Sequence, residues 1–128
     1  MILGLLGLIG DGRFAPVFAA GSRAEASIAG RLQRPGRPPA LISGQIDRLV
    51  VTPHEVLIVD YKTNSVPPCL PAQAPLGYIR QLALYRAVLE KLYPRLPVRA
   101  ALLWTERPEL MEIPGPLLDA QLTSIISA

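Results

Sequence analysis

Apolar and polar positions alternate through the first half of the chain. Glu25 to Gln33, E-A-S-I-A-G-R-L-Q, has a period of two and predicts a strand. R-P-G-R-P-P-A (34–40) predicts a loop, because three prolines and a glycine interrupt any ladder. Leu41 to Val51 predicts a longer strand, with Ile42, Gly44, Ile46 and Arg48 on one face and Ser43, Gln45, Asp47 and Leu49 on the other. T-P-H-E (52–55) reads as a turn, with His54 in solvent, and V-L-I-V-D-Y-K (56–62) as a buried strand that ends in charge. Short connections make these three strands an antiparallel meander.

Residues 64–77 form a Pro-rich loop. From Tyr78 to Tyr93 the period lengthens: apolar residues at 78, 82, 85, 89 and 92 predict a helix, ended by Pro94 and Pro97. Val98–Trp104 and Glu109–Ile113 read as strands around a turn, and Pro116 opens a last helix to about Ser127. The order β-β-β-α-β-β-α predicts an α/β domain, a mixed sheet covered by helices. Residues 1–22 combine the apolar run M-I-L-G-L-L-G-L-I-G with turn residues, which reads as a short helix and an irregular approach. The run has no basic leader, so a signal peptide is a poor reading. It resembles part of a buried element. The expected organisation is a single domain over 1–128, a piece of a larger protein, with an irregular segment at 1–22 and a core at 23–128.

Composition bounds the class. With 128 residues, half of them apolar and 18% charged, the chain suffices for one hydrophobic core and is too apolar for disorder. No apolar run approaches the ~20 residues that span a bilayer. Cys69 is the only cysteine, which excludes a disulfide framework, a zinc ribbon and an iron–sulfur cluster and fits a reducing, cytoplasmic setting. The net charge of +3 is compatible with a polyanionic partner. Of the thirteen basic residues only Lys62 and Lys91 are lysine, so each lysine is informative. Arg31, Arg34 and Arg37 flank the Pro/Gly loop, either as a track for a phosphate backbone or as an exposed charge cluster. No G-x-x-x-x-G-K-[ST] segment occurs, so the chain has no ATP site of that kind.

The candidate chemistry lies in the meander. Strands disfavour aspartate, yet Asp47 and Asp60 both sit in one. A hairpin turn centred near 53.5 pairs residues whose numbers sum to about 107, which sets Asp47 opposite Asp60. Lys62, two residues on, projects to the same face. Two carboxylates and an ammonium on one patch favour a divalent cation such as Mg²⁺, which takes oxygen ligands and one or two carboxylates. An ionic cluster on a solvated sheet face accounts for the same three residues.

Three segments, G-Q-I-D-R-L (44–49), V-D-Y-K-T-N (59–64) and Q-L-A-L-Y (81–85), resemble the PD-(D/E)XK nuclease superfamily and its RecB-like branch, with signatures G-x-I-D, D-Y-K-T and Q-x-x-x-Y. The flanking A-E-A-S-I-A-G-R-L and A-L-L-W-T-E-R-P-E-L are similar to the C-terminal nuclease domain of AddA-type repair helicase–nucleases, and the resemblance spans about residues 14 to 113. It implies a restriction-endonuclease-like sheet and a metal-dependent, exonuclease-type deoxyribonuclease of double-strand-break repair and recombination. The partners implied are DNA and an AddB-type subunit. By the same resemblance Asp47 and Asp60 bind Mg²⁺ (or Mn²⁺), with the Tyr61 main-chain carbonyl and Glu25 as further ligands. Lys62 orients or activates the attacking water, and Gln81, Tyr85, Arg48 and Arg31 meet the substrate. One departure stands out: the family carries a His or Glu on a helix before the first strand, where this chain offers only Asp11. Three other readings remain: an inactive nuclease-like module that binds DNA or scaffolds a partner, a metal-free interaction domain, and a free-standing nuclease.

Overall fold

The computed structural model describes residues 21–63 and 66–127. The expectations for the N-terminal run, Asp11 included, fall outside these residues. The described elements are β1 (Ser22–Arg34), β2 (Arg37–Val51), β3 (Val56–Lys62), a 3-10 turn (Pro71–Gln73), α1 (Leu76–Leu92), β4 (Val98–Trp104), β5 (Glu109–Ile113) and α2 (Gly115–Ser127). They follow the order expected from the sequence.

The strands form one sheet in the order β1-β2-β3-β4-β5. β3 and β4 are parallel and every other neighbouring pair is antiparallel. The parallel pair needs a crossover, and α1 supplies it. Both helices contribute to the main core: Ile79, Leu82, Val88 and Leu89 of α1 and Leu118 of α2 pack with Ile46, Ile58, Leu102 and Ile113 of the sheet. A smaller cluster joins Val59 and Leu103 to Leu57 and Tyr61. This mixed sheet with flanking helices is a restriction-endonuclease-like α/β arrangement. No described helix is long and apolar enough to cross a membrane.

Three details depart from the sequence pattern. Residues 34–40 are not a loop: β1 and β2 continue to Arg34 and Arg37 around a two-residue Pro35–Gly36 turn, with Gly36 at φ +69°. A shift of register between Leu32 and Arg34 accommodates the prolines, and the Arg34 guanidinium donates from Nε (3.0 Å) and Nη2 (2.8 Å) to the Pro38 carbonyl. On α1 the buried stripe runs through Ile79, Leu82, Ala83, Tyr85, Val88 and Leu89, while Leu92 is exposed. Lastly, Ile46 and Leu49 share the main core although they are three residues apart in β2. Strict alternation would put them on opposite faces, so the strand changes phase between them. The partner position on β1 is Glu25, whose φ of +53° is left-handed and reverses the side-chain alternation there.

Candidate active site

The ladder between β2 and β3 pairs Val51 with Val56, Val50 with Leu57, Leu49 with Ile58 and Arg48 with Val59, then stops. Every pair sums to 107, as the turn arithmetic requires. The turn is held by Thr52, whose Oγ1 accepts the backbone N–H groups of His54 (3.2 Å) and Glu55 (3.0 Å); His54 itself is exposed. Past Val59, β3 continues beside β4 as far as Lys62, while β2 continues toward the Pro35–Gly36 turn beside β1. The candidate residues occupy the notch where the two strands part.

Asp47 closes that notch. Its Oδ2 accepts the Tyr61 backbone N–H at 2.7 Å, replacing the ladder bond that ends there. The Asp47 carboxyl also meets Asp60 closely enough to share a hydrogen bond with it, and its pKa is pushed up to about 6. Burial is the largest cause, followed by the hydrogen bond and charge of Asp60; the Tyr61 N–H and the Lys62 charge act in the opposite sense. Asp60 is buried (8% exposed). Its Oδ2 receives no hydrogen bond of good geometry but lies 2.6 Å from Lys62 Nζ, a close contact of opposite charges. That ion pair is what compensates the buried carboxylate in the absence of a cation.

Lys62 is fixed at both ends. Its carbonyl accepts from the backbone N–H of Thr105 (3.1 Å). Its ammonium sits 3.8 Å from the centre of the Tyr78 ring. Tyr78 in turn packs tilted against Trp104, ring centres 6.3 Å apart, and Trp104 pairs with Lys62 across β3 and β4. Neither aromatic residue had a signal in the sequence beyond its place in an apolar pattern, since the crossover alone brings them to Lys62.

The remaining candidates divide. Tyr85 is buried (8% exposed) and accepts a hydrogen bond from Gln81 Nε2 (3.2 Å). Its ring lies against Gly44, where a Cβ would overlap the phenol oxygen, which explains the glycine of the G-x-I-D segment. Beside this pair opens a groove of about 490 Å³ between Leu41–Ser43 of β2 and Gly77, Arg80 and Leu84 of α1. Arg80 lines this groove, although nothing in the helical pattern singled it out. Arg31 is exposed on β1, near the start of the same stretch of β2, and its carbonyl accepts from Lys91 Nζ (2.5 Å). Arg48 is not brought to the carboxylates. It lies in register with Val59, and its guanidinium donates to the Tyr61 hydroxyl and to Ser22 Oγ, both at 3.0 Å. Alternation from Asp47 places it on the opposite face. Glu25 also stands apart: it is exposed, and no three His, Cys, Asp or Glu residues among those described converge on a metal position. Glu25 stands opposite Asp47 in the β1–β2 register, has a left-handed backbone and makes no ladder pair there.

A family model of the PD-(D/E)XK nuclease superfamily matches residues 12–121. The chain belongs to the PD-(D/E)XK nuclease superfamily. Members are typically nucleases, hydrolases that generally use divalent metals. Among solved structures, the crystal structure of SSO0001 superposes with a TM-score of 0.50 at 14% identity, covering 98% of this chain and 57% of that one. At that identity the likeness concerns the fold, and this chain spans little more than half the length of that structure. No curated protein matches the chain. The PD-(D/E)XK residues present suit a hard cation. They offer two adjoining carboxylates, one with a raised pKa and one buried beside Lys62, in an all-oxygen donor set.

Proposed function

We propose that this chain is the nuclease domain of a RecB-like, AddA-type helicase–nuclease. In this reading it hydrolyses DNA phosphodiester bonds, exonuclease-fashion, with Mg²⁺ or Mn²⁺ in double-strand-break repair and recombination. It works in the cytoplasm beside an AddB-type subunit. One observation carries the hydrolytic reading: Asp47, Asp60 and Lys62 meet in the notch between β2 and β3. The RecB-like assignment draws on the G-x-I-D, D-Y-K-T and Q-x-x-x-Y segments, which lie on β2, at the end of β3 and on α1.

Asp47 and Asp60 would hold the cation, with the Tyr61 main-chain carbonyl as a third donor. When bound, a divalent cation supplies Lewis-acid charge that polarises a phosphate oxygen and acidifies water. Lys62 presents a positive charge already in place, mostly buried (15% exposed side chain), so negative charge building on the phosphate meets it with little rearrangement. Its position beside Asp60 also suits it to orient the attacking water. Gln81 and Arg80 line the groove beside α1 and offer an amide and a cation to a passing phosphate.

The test is cleavage of end-labelled single-stranded DNA by the purified chain with Mg²⁺ or Mn²⁺. Asp60→Ala and Lys62→Ala are each expected to lower the rate by about a hundredfold or more, and a chelator to abolish cleavage. Far-ultraviolet circular dichroism should stay unchanged in both variants. Cation-dependent cleavage retained by either variant overturns the assignment. DNA binding without cleavage by the unaltered chain replaces it with a DNA-binding module.

A further inference from the structure

Among the described residues the Lys62 ammonium has two neighbours of different kinds: the Asp60 carboxylate at 2.6 Å and the face of the Tyr78 ring at 3.8 Å. They respond differently to a cation in the notch. A carboxylate that donates electron density to a metal ion attracts a neighbouring ammonium less, and two cations sharing Asp60 repel one another. The ring is neutral and is no ligand for Mg²⁺, so its attraction through the π face is unaffected. Without the ring, a lysine side chain loosened from Asp60 would regain the freedom of four rotatable bonds.

The ring is itself held in place. Tyr78 lies in the first turns of α1, packs on the main core and leans on Trp104 at an interplanar angle of 53°. Trp104 is 1% exposed and is the strand partner of Lys62, so the parallel ladder registers the lysine with the residue that Tyr78 leans on. The contact does not call on the Tyr78 hydroxyl.

We propose that Tyr78 is a positioning residue: its ring face keeps the Lys62 ammonium at the carboxylate notch when Asp60 is engaged by a cation. This rests on the reading that the Lys62 ammonium serves cleavage, and the experiments separate the two.

The first measurement needs no activity. The chain has two lysines, so selective ¹³Cε labelling gives two side-chain signals, Lys62 and Lys91. The Lys62 ε-methylene protons are expected upfield from the ring current, to remain upfield in saturating Mg²⁺, and to move to the Lys91 position in Tyr78→Leu. A Lys62 signal that loses its upfield shift with Mg²⁺, or never has one, overturns the proposal. The second measurement is cleavage by the full chain with position 78 carrying Tyr, Phe, and Phe with one, two and three ring fluorines. Fluorine drains the π face while leaving shape and burial nearly unchanged. Tyr78→Phe is expected within about twofold of the unaltered chain, and kcat to fall stepwise to about a tenth at three fluorines, with KM and Tm constant. A flat series alongside an inactive Lys62→Ala overturns the role of Tyr78 alone. An active Lys62→Ala overturns the catalytic reading of Lys62 and this proposal with it.

Discussion

Asp47 is a carboxyl group drawn half out of water beside a second carboxyl, and its acidity records both effects. Its pKa rises from the ordinary 3.8 to about 6, through burial first and Asp60 second. The folded protein therefore holds this proton more tightly than the unfolded chain does. The stability this proton contributes is fully present below pH ~3.8 and is lost as pH rises to about 6. In chelator, Asp47→Asn is accordingly expected to stabilise the protein at pH 7.5, by roughly 1 kcal/mol once solvent screening of this partly exposed group is allowed for. The same proton competes with a cation. Calorimetric Mg²⁺ affinity should be weaker at pH 5 than at pH 7.5, and equal affinities would dismiss Asp47 as a ligand. Asp47, Asp60 and Lys62 could be grouped from the sequence, because a period of two and the length of a turn fix them. Tyr78 could not: its meeting with Lys62 depends on how a helix more than a dozen residues away settles on the sheet.

At the scale of the element, close approach between α1 and the first hairpin rests on two glycines. A Cβ at Gly44 would overlap the Tyr85 hydroxyl, and one at Gly30 would press on Val88. Gly44→Ala is expected to destabilise by about 1–3 kcal/mol. Tyr85→Leu in the same chain should recover part of that loss, because the two residues share one space. Thermal melts of the single and double variants test this, and simple additivity would show that the helix has room to retreat. The hairpin also marks where reading by pattern stops. Proline and glycine in residues 34–40 signalled an interruption, but an edge hairpin tolerates proline where its missing N–H faces away from the ladder. The phase change between Ile46 and Leu49 was invisible for a different reason. It falls opposite Glu25, whose left-handed backbone is a conformation that no period in the sequence records.

Across the whole molecule the element order was legible, because helix and strand periods differ and prolines punctuate them. The orientation of the two helices on the sheet was not, and it decides which side chains meet. β3 is antiparallel to β2 and parallel to β4, so its two edges are completed over very different spans of chain. The first edge closes through the four-residue turn 52–55, the second only after residues 63–97 have crossed over. Local pairings form fast and distant ones slowly. The acidic pair should therefore take shape early in refolding, while the lysine acquires its aromatic seat late. Trp104, the sole tryptophan, lies on the slow side of that divide. Stopped-flow tryptophan fluorescence is expected to lag behind the far-ultraviolet signal of strand formation, and coincident traces would mean that both edges assemble together. The protein thus carries its own clock for the last step in building a charged centre.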